Sequence, residues 1–152
     1  MRNLNWFELG HGADKASVEA VEAAVGFQLP DDFVAFATQY AGASNPDECE
    51  FDIVEPDNTV HFGNFGSLLQ LVCDETENVI GTIENLGDRI PSGIVPIVGT
   101  GSGDYVCLDF RARGMASITY FFHERVGAPA LVPLAPTFAD FLEMLREPQD
   151  EL

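Results

Sequence analysis

From Glu48 to Ile53 the chain alternates without a break: Cys49, Phe51 and Ile53 are apolar, and Glu48, Glu50 and Asp52 are carboxylates. A period of two is the period of a strand. The stretch therefore predicts a half-buried strand with one apolar face and one face carrying three charges. The constraint is strong, because a one-residue slip would bury every carboxylate and expose every apolar group. A strand with one wet face belongs to an antiparallel sheet rather than a doubly covered parallel one. The flanks agree: Asn45-Pro46-Asp47, within a turn over 44–48, and Glu55-Pro56-Asp57-Asn58 are dense in turn formers.

Helical signals surround this strand. Asp14 or Ser17 caps a first helix with Val18, Val21 and Val25 on one face, and Gly26 ends it as a left-handed cap over which Phe27 and Leu29 fold back. Pro30 and Asp31-Asp32 open a second helix, with Phe33, Phe36, Ala37 and Tyr40 as a core-facing stripe and Gly42 as its stop. Val60–Phe62 and Leu68–Cys73 read as short strands separated by Gly63 and Gly66. Asp74-Glu75-Thr76-Glu77 forms a capping box for a third helix with Val79, Ile80 and Ile83 inward, closed by Gly87.

Ile94–Val98 is a strand whose Pro96 marks an edge or a bulge. Gly99–Gly103 turns into a strand over Tyr105–Phe110, Gly114 marks a turn, and Ile118–Phe122 is apolar on both faces, as a central strand is. Pro129, Pro133 and Pro136 form a stiff connection to a last helix. Thr137 caps it, Phe138, Phe141, Leu142 and Leu145 point inward, and it ends before Pro148. The expected order is αα–βββ–α–βββ–α. This is an α+β fold, one mostly antiparallel sheet covered by helices, with a single domain over 1–152 and its core over about 14–146.

Charge is unevenly spread. Residues 16–88 contain no Lys or Arg, yet they hold fifteen carboxylates, and the formal net charge is −18. Such a field disfavours nucleic acid and anionic membranes and steers a cationic protein partner. Solubility or salt adaptation explains the same composition without a partner. With 46 % hydrophobic residues and twelve Phe, the chain has ample material for a core. Met1–Gly12 lacks the apolar run of a signal peptide, and no run approaches the roughly 20 residues of a membrane helix. Cys49, Cys73 and Cys107 lack C-x-x-C spacing and read as reduced, buried thiols of a cytoplasmic protein.

The sequence declines most chemistry. Gly99-Thr100-Gly101-Ser102-Gly103-Asp104 is glycine-rich, but Asp104 stands where a dinucleotide fingerprint needs its third Gly, and a strand follows instead of a helix. No phosphate-loop Gly-Lys-Ser/Thr occurs. His11, His61 and His123 show no metal or triad spacing, Ser102 lacks a nucleophile elbow, and the carboxylates over 47–57 lack the EF-hand pattern. No cofactor, metal or catalytic residue is assigned. A hydrolase built on Asp104, Asp109 and His123 is the most distant reading.

Three motifs carry a resemblance. Residues 17–42, with Gly26-Phe27-Gln28-Leu29-Pro30 between two helices and Tyr40 and Gly42 at the close, are similar to the opening of the SUKH superfamily. Ala41 stands where that family often has Asn. Pro96-Ile97, then Gly103-Asp104 and a strand ending Leu108-Asp109, resembles its second signature, and Thr137–Leu142 its closing helix. The resemblance implies an α+β fold with Gly26, Leu29, Pro30, Tyr40, Gly42, Gly103, Asp104, Leu108 and Asp109 in structural roles. It also implies a non-enzymatic protein that, in bacteria, binds and neutralises a toxin domain of a polymorphic toxin system, commonly a nuclease or deaminase. Relatives in fungi resemble regulators of cell-wall assembly, so an interaction or regulatory adaptor is the alternative.

Combined with the charge pattern, the expected partner is a basic toxin domain, and the homo-oligomeric state is open. The expected contact residues are Asp47, Glu48, Glu50, Asp52, Glu55 and Asp57, with Phe62 and Phe65 as apolar anchors and Asp74, Glu75 and Glu77 as a second patch.

Overall fold

The computed structural model describes residues 2–72, 77–112 and 116–148. Its element order is β1 (Trp6–Glu8), α1 (Lys15–Val25), α2 (Asp31–Tyr40), β2 (Ser44–Pro46), β3 (Glu50–Val54), β4 (Val60–Asn64), β5 (Ser67–Leu68), α3 (Val79–Leu86), β6 (Ile94–Gly99), β7 (Tyr105–Asp109), β8 (Ser117–Phe121), β9 (Leu131–Ala135) and α4 (Phe138–Met144). Seven strands form one antiparallel sheet in the order β1-β2-β5-β6-β7-β8-β9, while β3 and β4 form a separate hairpin. The α+β class stands. The expected order is incomplete, because β1, β2 and β9 are additional strands, and of the strand expected over Leu68–Cys73 the described residues form one only at Ser67–Leu68, Cys73 lying outside them.

The helical punctuation is physical. Asp14 caps α1 by accepting the Ser17 amide at 2.8 Å. Gly26 closes it with φ 81° and donates its N–H to the Glu22 carbonyl. The Glu22 carboxylate then accepts the Leu29 amide at 2.8 Å, so the chain folds back over the cap and Leu29 is buried. Phe27 stacks on Phe110 with centroids 4.7 Å apart. In α2, Phe33, Phe36 and Ala37 are buried as expected, and half-buried Tyr40 stacks on Trp6 at 5.6 Å. The Asp32 carboxylate accepts the neighbouring Phe33 amide at 2.8 Å and the Ala139 amide at 3.0 Å, tying the starts of α2 and α4 together. Asn78 caps α3, and residues 74–76 of the expected capping box lie outside the described residues. Val79, Thr82 and Leu86 are buried there, with Ile80 and Ile83 half-buried against the core.

Two prolines show how context decides. Pro96 lies in β6, which has neighbours on both sides, and the register slips between Pro96 and Val98. The bulge accommodates the missing donor, so the edge alternative is wrong. Pro133 was expected in a connection but lies in β9, the last strand of the sheet, where an edge tolerates it. β8 is central and buried from Ile118 to Phe121, as its two apolar faces require.

The β3–β4 hairpin packs its inner face over the core. Phe51 and Ile53 are buried, Phe51 meets Phe141 edge-on at 5.2 Å, and Phe65 contacts Trp6 and Phe141. Gly63 sits directly opposite Phe51, and a Cβ there would come within 2.6 Å of the Phe51 ring. The absence of a side chain lets that ring cross the partner strand. Among the described residues, no helix is long and apolar enough to cross a membrane.

At Gly26 nothing lies within 4 Å of a built Cβ, so the strain of a substitution there is conformational alone. Gly26→Val is expected to destabilise the protein by more than about 1 kcal/mol through the left-handed backbone. A urea midpoint equal to that of the wild type contradicts this.

Candidate partner-binding face

The acidic segment is not left bare. Glu48 pairs with Arg2 at 2.8 Å. Arg146 spans Glu50 and Asp52 from one guanidinium nitrogen, at 2.7 and 2.8 Å, and its backbone exchanges hydrogen bonds with Glu50 in both directions. Glu55 is held by Arg125 and by His61, the latter at 2.6 Å. The basic-free stretch in sequence is thus folded against three arginines from outside it.

The alternation has the expected phase, since Phe51 and Ile53 are buried and Glu50 and Asp52 lie on the other face. Three details are corrected. Glu48, Glu50 and Asp52 are half-buried ion-pair partners rather than solvated charges, because a carboxylate ladder this dense attracts whatever cation the fold can deliver. Cys49 is half-buried, just before the strand. Phe65 is in the core and offers no anchor, whereas Phe62 is 65 % exposed.

Arginine pairing shifts the titration of these groups. Bonds from Arg125, then His61, hold Glu55 below the usual carboxylate range. Bonds to Asp52 and Glu50 hold the Arg146 guanidinium above its ordinary value. Asp57, at the hairpin tip, accepts the Thr59 amide at 2.9 Å and makes no ion pair among the described residues. Asp47 is exposed. Glu77 accepts the Tyr105 hydroxyl at 2.5 Å, which helps to push that phenol up, while Asp74 and Glu75 lie outside the described residues. Burial is the larger cause of the Tyr105 shift.

The second motif builds a polar network at the opposite end of β7 from Asp109. Asp104 accepts the His123 backbone amide at 2.9 Å, the His123 ring Nδ1 at 2.5 Å, the Tyr120 hydroxyl at 2.7 Å and the Ser102 hydroxyl at 3.3 Å. These donors sit mostly on β8 and its exit, because the residue opposite the turn is where a hairpin brings its partner strand. Burial opposes ionisation of Asp104, but the hydrogen bonds from His123 and Tyr120 outweigh it and hold the carboxyl below its ordinary value.

Asp109 is elsewhere, bound to Arg111 and Thr119. The three residues of the hydrolase reading are therefore not brought together, and the Ser102 hydroxyl is directed at Asp104 rather than at the imidazole. Leu108 is buried, and Gly42 and Gly103 both have positive φ. Among the described residues, no group of three or more His, Cys, Asp or Glu side chains could hold a metal. Burial pushes the Cys107 thiol up. An open groove of about 640 Å³ is lined chiefly by Phe27, Leu29, Phe110, Asp31 and Thr137.

Sequence reasoning missed Val54, Val60 and Arg146. Val54 had a signal, since it continues the outward phase of Glu50 and Asp52 with an apolar side chain. Arg146 had none, being 94 residues from Asp52.

Comparison with known proteins agrees with this architecture. Residues 12–144 match the SMI1 / KNR4 family (SUKH-1), and the chain belongs to that family. A curated relative, the SPbeta prophage-derived uncharacterized protein YokK of Bacillus subtilis (strain 168), is 27 % identical over 104 residues. That match covers 60 % of this chain and 54 % of the relative, so the chain spans about half the length of the curated relative it matches.

Asp104→Asn is expected to cost about 2 kcal/mol at neutral pH, since its amide nitrogen must face one of several donors. A depressed folded-state pKa contributes stability above the unfolded value of about 3.9, and that contribution is lost as pH falls through the folded value. The gap between wild type and Asp104→Asn should therefore be present at about pH 5 and shrink below about pH 4 in chemical denaturation. A gap unchanged in acid contradicts the ionised assignment.

Proposed function

We propose that this protein is an immunity protein that binds and neutralises a toxin domain, a basic nuclease or deaminase, of a polymorphic toxin system. Membership of the SUKH-1 family over residues 12–144 carries the reading. The relative named above is prophage-derived, which suits a gene that travels with such a system. The protein acts by occupying its partner rather than by catalysis.

The charge balance supports a cationic partner. Twenty-five carboxylates face seven Lys and Arg. Among the described residues, Arg2, Lys15, Arg111, Arg125 and Arg146 already have carboxylate partners, and Arg89 donates to the His123 carbonyl. Every Lys and Arg among the described residues is thus engaged within the molecule, and a large carboxylate surplus sets the external field. Such a field accelerates encounter with a basic domain above the neutral level of about 10⁵–10⁶ M⁻¹s⁻¹, most strongly at low salt.

The test is binding to the C-terminal domain of the protein encoded directly upstream, followed by association kinetics over a salt series. Tight inhibitory binding is expected, with an association rate that falls by about tenfold or more from low to high salt. Asp47→Asn/Asp57→Asn should lower the rate at low salt without changing dissociation. A salt-independent association rate contradicts electrostatic capture, and the absence of binding and of protection in co-expressing cells contradicts the immunity function.

A further inference from the structure

The outward face of the β3–β4 hairpin carries three exposed apolar side chains together. Val54 and Val60 are directly opposite one another, at 50 % and 48 % exposure, and Phe62 lies on the same face of β4, opposite Asp52. Scattered exposed apolar residues are ordinary, but three contiguous ones rimmed by charge mark an interaction surface. The hairpin's own hydrophobic need is met on the other side by Phe51 and Ile53, so these three contribute nothing to the core.

This face already holds one guanidinium. Arg146 sits between Glu50 and Asp52, and its guanidinium carbon lies 5.4 Å from the centre of the Phe62 ring. The ring nevertheless keeps most of its surface in water. The Asp52 side chain is 44 % exposed, which leaves it room to accept from a second cation.

Resting on the immunity reading, we infer that this face is the docking surface for the toxin domain. The partner lays an Arg or Lys on Phe62 beside Asp52 and an aliphatic side chain across Val54 and Val60. Charge selects this occupant. A second copy of a chain with net charge −18 is repelled. The rim of Asp52, Asp57 and the Arg146-bound Glu50 is net anionic, which suits a basic protein. The clamp by Arg146 fixes the carboxylates in place before binding, so little side-chain freedom is lost on association. The aromatic ring stacks on the cation and excludes water around the pair, the arrangement in which a cation–π contact is strongest.

The experiment is calorimetric titration of the upstream-encoded toxin domain into wild type, Phe62→Ser, Phe62→Trp and Phe27→Ser, each first checked for a wild-type-like thermal transition. Phe27 lies in the apolar groove against Phe110, the competing surface. Phe62→Ser is expected to weaken binding by at least about tenfold, as for an interface anchor, with Phe62→Trp and Phe27→Ser close to wild type. Phe62→Ser binding as tightly as wild type overturns the inference while leaving the immunity function standing. Loss on Phe27→Ser alone moves the surface to the groove and overturns it likewise. A wild type that does not bind removes the immunity reading and this inference with it.

Discussion

Arg146 and its two carboxylates hold the part of the structure on which the account rests. A two-stranded hairpin is marginal by itself, and among the described residues β3–β4 shares no strand pairing with the seven-stranded sheet. Its inner face is fastened by Phe51 and Ile53, its outer, charged face by Arg2 and Arg146 from the two ends of the chain, and its turn by Arg125 of the β8–β9 connection, which holds Glu55. Exposed ion pairs contribute little. The Glu50 carboxylate is different, because its side chain is only 13 % exposed and its backbone pairs with Arg146 as well. Removing one member of such a pair leaves the other desolvated without a partner.

The same pairing reshapes the meaning of the acidic sequence. Glu48, Glu50, Asp52 and Glu55 lie close together along one hairpin and would repel one another if unpaired. Folding brings Arg2, Arg125 and Arg146 to them, so the segment presents organised carboxylates rather than a diffuse field. On the proposed reading, long-range attraction comes from the surplus charge of the whole molecule, and local recognition from a small patch where Phe62 meets Asp52. These two contributions act on different rates: the first on association, the second on dissociation.

Local physics made much of the fold legible. Asp14, Gly26, Pro30 and Thr137 mark helix ends by hydrogen bonding or fixed backbone angles, and these signals act over a few residues. The phase of β3 was legible because burial imposes it on every second residue. The strands β1, β2 and β9 were not. Each is short or proline-bearing and exists only because a distant strand offers it a ladder, as Trp6 does with Pro46 and Thr119 with Pro133. The candidate face was legible in Phe62 and the carboxylates. It was hidden in Arg146 and in the burial of Phe65, both of which depend on contacts that close the chain end to end.

The central claim is that this chain meets its partner through the outer face of the β3–β4 hairpin. The most direct test is hydrogen–deuterium exchange of the protein alone and with its proposed partner, the C-terminal domain of the protein encoded directly upstream. The account predicts new protection concentrated over residues 50–64, with the amides of α1 and α2 unchanged. Protection centred on α1, α2 and the Phe27–Phe110 groove, with the hairpin exchanging as in the free protein, would contradict it.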